Sequence, residues 1–340
     1  MNTAASPSLP VKGYILSVSD SSRCGTDSAA PKEFENGMSL FFSLTDGSFL
    51  VIDGGQGNSA ASPDAEHLCR RLWEKAEENG LSEIVISAWI ITHAHGDHCG
   101  CLSYFLSAYG KQVQIREFRF NNVGNSGDWI HSLIKQNCPD TPIRAYTPGE
   151  VQTLPGMTVT ALATPEEVIA FEPDAVKLDF NNTSLVLRLQ IGEKRLLITG
   201  DAGEQALGFL NASFAAEDLR CDCLQVPHHG YFKSRNKTNE SYKRDRLYSD
   251  DQAIAAYAKM APSVALFPAG EEHFRAVSDL SASYRTGKGH AHYFASNSTI
   301  ALLNQRSLRQ VIVAGWYDGS EKSARCRRFF PFTEDEGGTV

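Results

Sequence analysis

Four side chains suited to a divalent cation stand within six residues: His93, His95, Asp97 and His98, in the run His93-Ala94-His95-Gly96-Asp97-His98. Imidazole nitrogens and carboxylate oxygens are donors that zinc, manganese and iron accept. Gly96 gives the backbone freedom to turn tightly, so a short loop here can fan alternate side chains around an ion. An ion held this way can polarise a substrate oxygen and acidify a bound water, which is chemistry suited to hydrolysis. That chemistry needs no serine or cysteine nucleophile, and the chain has no G-x-S-x-G elbow.

The loop has to be held by the elements around it. Ile84 to Thr92 (IVISAWIIT) is a nearly continuous apolar run, the pattern of a buried strand, and it stops at the histidine cluster. Ser48 to Asp53 (SFLVID) ends at Gly54-Gly55. Ser184 to Gln190 turns through Ile191-Gly192-Glu193-Lys194 into Arg195 to Thr199, a hairpin by its turn chemistry, which ends at Gly200-Asp201. Cys223 to Val226 is a further short run ending at Pro227-His228-His229-Gly230. Helical spacing marks Ala65 to Asn79, with Gly80 as its stop, then Leu102 to Ala108 and Ala253 to Met260. Strands that end in polar turns and alternate with helices predict a layered α/β domain.

The chain of 340 residues is 42% apolar and 21% charged, an ordinary globular balance with ample material for a core. We place the domain at 11–328, with a flexible tail at 1–10 and an acidic, glycine-rich tail at 329–340. A net charge of −8 gives no general attraction to nucleic acid, so any polyanion must meet a local patch. No stretch approaches the roughly 18 to 20 apolar residues of a membrane helix. Met1 to Pro10 lacks the basic and apolar regions of a secretory signal. The 8 cysteines are too dilute for a disulfide scaffold, and Cys99-Gly100-Cys101 and Cys221-Asp222-Cys223 are C-x-C rather than C-x-x-C pairs. Reduced thiols and a cytoplasmic location are expected.

The run Thr92-His93-Ala94-His95-Gly96-Asp97-His98 matches the H-x-H-x-D-H signature of the metallo-β-lactamase superfamily, which the chain resembles from roughly residue 38 to residue 303. The resemblance implies an α/β (α+β) fold, a four-layered αββα sandwich with its metals at one edge of two sheets. It implies two divalent ions, zinc first, with manganese or iron as alternatives. Asp53 looks like the strand-end aspartate that supports the metal loop, Asp201 like the carboxylate bridging two ions, and His228 like the late histidine ligand. His229 would then stand behind it as a supporting group or proton donor. Classical members take a further histidine shortly before the bridging aspartate; here that window holds Asn181 and Asn182, with no histidine between His131 and His228. The implied sets are therefore His93, His95 and Asp201, completed by water or an asparagine carbonyl with Asn182 in support, and Asp97, His98, Asp201 and His228.

Within the superfamily, NNTSLVLRLQIGEKRLLITGDAGEQAL and CDCLQVPHHG resemble the soluble domain of the competence DNA-uptake protein ComEC and its stand-alone relatives. That branch usually has aspartate where this chain has His95. Its early G-x-G-D element is replaced by Glu35-Asn36-Gly37-Met38-Ser39, and Tyr231 follows the VPHHG turn where serine or threonine is typical.

The activity implied is phosphodiesterase or nuclease-like, on a small-molecule, nucleotide or nucleic-acid phosphodiester, with Asp97, Asp201 and His229 catalytic and no membrane partner. Lys233, Arg235, Lys237, Lys243, Arg244 and Arg246 follow the proposed metal turn and could hold phosphates, although Glu240 and Asp245 interrupt them. His273 could reach the cleft and assist the leaving group; an exposed loop is its alternative setting. His67 reads as solvated on its helix, and His290 and His292 as a surface turn. The same metal chemistry would serve carboxylic esters, lactones or amides. A non-catalytic metal-dependent binding or sensing protein is the third alternative.

Overall fold

The computed structural model describes residues 9–16, 18, 37–58, 60–230, 251–278, 296–315 and 326–332. Its strands are β1 (Lys12–Leu16), β2 (Ser39–Ser43), β3 (Phe49–Asp53), β4 (Ile84–Ile91), β5 (Val113–Ile115), β6 (Phe118–Phe120), β7 (Ile143–Arg144), β8 (Val151–Leu154), β9 (Met157–Ala163), β10 (Val186–Ile191), β11 (Lys194–Ile198), β12 (Cys223–Gln225), β13 (Val264–Gly270), β14 (Gln310–Gly315) and β15 (Cys326–Phe330). They form two sheets. One runs β15-β1-β2-β3-β4-β6-β7, with β5 also on β4, and the other β14-β13-β12-β11-β10-β9-β8.

Strands buried on both faces explain the apolar runs. Leu40, Phe42, Leu50, Ile52 and Ile90 of the first sheet meet Val159, Leu187, Leu189, Leu196 and Ile198 of the second in one core. The residues between them point outward: Phe41, Phe49, Val51, Trp89 and Ile91 pack under α1 (Pro63–Glu78), the short α2 (Gly96–Cys99), α3 (Cys101–Tyr109) and α4 (Asp128–Asn137). On the second sheet, Val186, Leu197, Leu224 and Phe267 pack with α5 (Pro165–Phe171), α6 (Ala175–Leu178), α7 (Glu204–Ser213), α8 (Ala216–Leu219), α9 (Asp251–Met260), α10 (Glu271–Ser278) and α11 (Asn297–Leu303). The layers are helix, sheet, sheet, helix, as expected from the sequence. Among the described residues, no helix is long and apolar enough to cross a membrane.

Two details differ from the sequence reading, and a third lies outside the described residues. His67 is buried on α1, where its Nδ1 stands 2.9 Å from Arg70 Nη2, because that helix lays its inward stripe on the sheet. β15 continues through Phe329 and Phe330, past the boundary drawn at 328; both rings are buried, and Phe329 meets Phe42 edge-on at 5.5 Å. The loop expected between Tyr231 and Asp251 lies almost wholly outside the described residues, as do His290 and His292.

Two relationships bring the site together. β3 runs parallel to β4, and β11 parallel to β12 and β13, so each sheet delivers carboxyl-terminal strand ends. At that edge Leu185 N–H donates to the Thr92 carbonyl at 3.0 Å and ties the sheets to each other.

Candidate metal centre

Four strand ends supply the polar turns. Asp53 closes β3 in a left-handed conformation (φ 55°). Its Oδ1 accepts Thr92 N–H at 2.8 Å, and its Oδ2 accepts Thr92 Oγ1–H at 2.7 Å. The 93–98 loop after β4 is pinned by its own carbonyls: Gly54 N–H donates to His98 O at 2.7 Å and Met38 N–H to Asp97 O at 3.0 Å. After β11, Gly200 (φ 53°) reverses the chain and Asp201 N–H donates to Ser184 Oγ at 3.1 Å. After β12, His228 (φ 48°) and His229 (φ 56°) are consecutive left-handed residues. Such a conformation costs a residue with a Cβ roughly 1–2 kcal/mol. His228 N–H to Gly200 O (3.2 Å) and His229 Nδ1 against Pro268 O (2.9 Å) hold that turn.

The side chains converge in two groups. His93, His95 and Asp201 each offer one ligand atom, all within 4.8 Å of one another, and so do Asp97, His98, Asp201 and His229. Asp201 belongs to both and is 1% exposed. His98 Nε2 is 3.0 Å from its Oδ1; His229 Nε2 is 3.4 Å and His93 Nε2 3.9 Å from its Oδ2. His229 Nε2 is also 3.3 Å from Asp97 Oδ2.

These groups fit a cation. His93 Nε2, His98 Nε2, His229 Nε2 and Asp201 Oδ1 are buried with no hydrogen-bond partner. Such atoms are costly inside a protein unless something else satisfies them. Burial opposes the Asp201 charge, yet His229, His98 and His228 hold its carboxyl well below the usual range. Burial likewise opposes protonation of His98 and His229, but Asp201 with Asp53 lifts His98 well above its ordinary value, and Asp201 with Asp97 lifts His229 to about 9. His93 is driven down by burial and then by the neighbouring His98.

Not every expected residue stands where the sequence put it. His229, rather than His228, joins Asp97, His98 and Asp201. His228 lies outside both groups, 3.9 Å from Asp201 Oδ2, with its side chain 20% exposed and its Nε2 3.3 Å from Asn181 Nδ2. The Asn182 side chain is turned away from the cluster. Its Nδ2 donates to Ala175 O, Asp179 O and Gln205 Oε1, and its Oδ1 accepts Ala206 N–H, so it braces α6 against α7. Asn181 is the asparagine that faces the histidines. Asp53 stands behind the 93–98 loop, its Oδ2 2.6 Å from His98 Nδ1. His273 is buried on α10, with its ring 6.2 Å from that of His229 and perpendicular to it, and burial followed by the two histidines pushes its pKa down to about 3. Lys233 and Arg235 lie outside the described residues. Phe180 was missed altogether: its half-buried ring sits 5.2 Å from that of His95. Nothing in its sequence context marks it.

Comparison with known proteins identifies the class that this edge of the sandwich defines. The sequence model of the metallo-beta-lactamase superfamily matches residues 34–247, which span every residue of both groups. The chain belongs to that superfamily and is a metal-dependent hydrolase of it. Solved structures similar to it include the metallo-beta-lactamase fold protein YhfI from Bacillus subtilis, at 15% identity over 76% of this chain and 85% of that one, with a TM-score of 0.43. A diphosphatase of the PhnP family matches at 14% identity over 76% and 85%, TM-score 0.41. CmlA, a diiron β-hydroxylase from Streptomyces venezuelae, matches at 14% over 70% and 45%, TM-score 0.41. No curated protein sequence matches the chain.

Proposed function

We propose that the chain hydrolyses phosphodiesters at a pair of divalent ions that share Asp201. His93 and His95 would hold one ion with it, and Asp97, His98 and His229 the other. The observation that carries this reading is the buried Asp201 carboxylate with three imidazole Nε2 atoms around it, none of them in a hydrogen bond. When bound, such ions supply Lewis acidity and a water acidic enough to attack near neutral pH. The rest falls to the chain. Asp53 keeps the His98 proton on Nδ1, so Nε2 presents its lone pair. The carbonyl of Pro268 does the same for His229. To His228, partly exposed and outside both groups, we assign delivery of a proton to the departing oxygen. The half-buried Phe180 lines the His95 side.

The phosphodiester preference is supported by the SLVL, TGD and VPHHG segments that resemble the ComEC domain. Bis-p-nitrophenyl phosphate and a p-nitrophenyl ester, each offered to the metal-stripped protein with zinc, manganese or iron restored, test it. The expected result is cleavage of the phosphodiester, lost in Asp201→Ala. Turnover of the carboxylic ester alone would overturn the substrate class. Unchanged metal binding and turnover in Asp201→Ala would overturn the shared carboxylate.

A further inference from the structure

Asp201 and His229 come from different turns, joined directly by the backbone bond from His228 N–H to Gly200 O at 3.2 Å. Gln225, the last residue of β12, lies between those turns with no exposure at all. Strand alternation points it, like Cys223, into the seam between the sheets, where an aliphatic residue would be usual. Its amide is used completely. Oε1 accepts Thr199 N–H at 2.8 Å, and Nε2 donates to Gly200 O at 3.0 Å and to Val226 O at 2.7 Å. Thr199 Oγ1–H returns to the Gln225 carbonyl at 2.8 Å. One side chain thereby binds the residues on both sides of the gap: Thr199 and Gly200 lead directly into Asp201, and Val226 leads into Pro227, His228 and His229.

We propose that Gln225 is a positioning residue that clamps the Asp201 turn to the His228-His229 turn and so sets the separation of the Asp201 carboxylate and the His229 ring. The proposal rests on the reading of Asp201 and His229 as groups that hold an ion. Gln225 touches neither ion nor substrate in this scheme; it acts only through the two backbones it joins.

Cobalt(II) titration, followed by visible absorption and metal analysis, separates the clamp from an ordinary core contact. Gln225→Met keeps length and loses every amide bond. We expect it to keep the parent far-UV circular dichroism, to bind cobalt at least about tenfold more weakly, as loss of a supporting partner does, and to show a changed visible band. Thr199→Val should shift the same readings in the same direction, and Thr199→Ser should restore them. The double variant Gln225→Met/Thr199→Val should be no worse than Gln225→Met alone, since the two residues act as one unit. Parent-like cobalt affinity and spectrum in Gln225→Met, whatever its melting temperature, would overturn the proposal. Should Gln225→Met not fold, the Thr199→Val and Thr199→Ser pair decides: identical spectra in both would overturn the clamp. Failure of the parent itself to bind cobalt, or full binding by Asp201→Ala, would sink the underlying two-ion reading instead, and is seen before any Gln225 variant is made.

Discussion

Asp53 Oδ2 lies 2.6 Å from His98 Nδ1, with both side chains wholly buried. The contact assigns a tautomer. With Nδ1–H donating to the carboxylate, the ring turns Nε2 toward Asp201 Oδ1 at 3.0 Å. Burial pushes the Asp53 carboxyl up, and the His98 charge and the two Thr92 bonds pull against that, so the carboxylate depends on its neighbours to stay ionised.

Asp53→Asn tests that assignment cleanly, because asparagine tolerates the left-handed backbone that Asp53 adopts. If the amide oxygen keeps the Thr92 N–H bond, its NH2 faces His98 Nδ1 and forces the ring proton onto Nε2, where an ion should sit. Metal affinity should fall about 10–100-fold, with the far-UV spectrum unchanged. Equilibrium dialysis against zinc measures it, and parental affinity would show that the tautomer is set elsewhere.

The placement of His229 inside the Asp97 group and of His228 outside it gives a second prediction. His229→Gln should lose one ion of two, since it removes a member of the Asp97 group. His228→Gln should keep both ions while kcat falls by about 10²–10⁴, the usual worth of a proton donor, with KM little changed. Metal analysis beside steady-state kinetics reads both. One ion lost from His228→Gln, and none from His229→Gln, would return the ligand role to His228.

Proton release supplies a third. Without metal, His98 and His229 keep a proton against their carboxylates, with His229 pushed up to about 9. An ion has to displace the Nε2 proton of each ring, so binding at pH 7 should release close to two protons. Affinity should climb about tenfold per pH unit for each proton displaced, up to the pKa of that ring. The sign for folding is opposite. A raised histidine pKa stabilises the metal-free fold below the unfolded value of about 6.5, and that contribution is lost as pH rises through about 9. Calorimetry in two buffers of different ionisation enthalpy counts the protons; a count of zero would contradict the protonated resting site.

Much of this was legible in the chain because the signals are local. The 93–98 cluster is contiguous, and an apolar run as short and β-branched as IVISAWII, ended by a polar turn, fits a strand covered on both faces. What escaped was directional. His228 and His229 are adjacent and both left-handed, so only the distant carbonyls of Gly200 and Pro268 decide which ring enters the cluster. Asn181 and Asn182 are separated in the same way, by the contacts of α6 and α7 that occupy Asn182. The end of β15 was hidden by Arg327 and Arg328, whose charges mask a strand that buries Phe329 and Phe330. His273 looked like a loop residue because its burial comes from packing against distant chain, including the Pro227–Gly230 turn.

Gly200→Ala makes the last prediction, and it concerns the turn rather than a ligand. At φ 53° the residue is left-handed, and an added Cβ would stand 2.9 Å from Thr92 Oγ1 and 3.0 Å from Thr92 Cβ. The backbone penalty is about 1–2 kcal/mol, and crowding against a buried, hydrogen-bonded threonine adds roughly 1–3 kcal/mol. Relief requires Thr92 to move, and Thr92 holds both oxygens of Asp53, so strain in the Asp201 turn passes directly to His98. We therefore expect a lower melting temperature together with weaker binding of both ions, although no ligand has been touched. Differential scanning calorimetry of the metal-free protein and zinc titration of the same sample measure the two effects. A variant that melts early yet binds zinc as the parent does would show that the turn can yield without disturbing the carboxylate it carries.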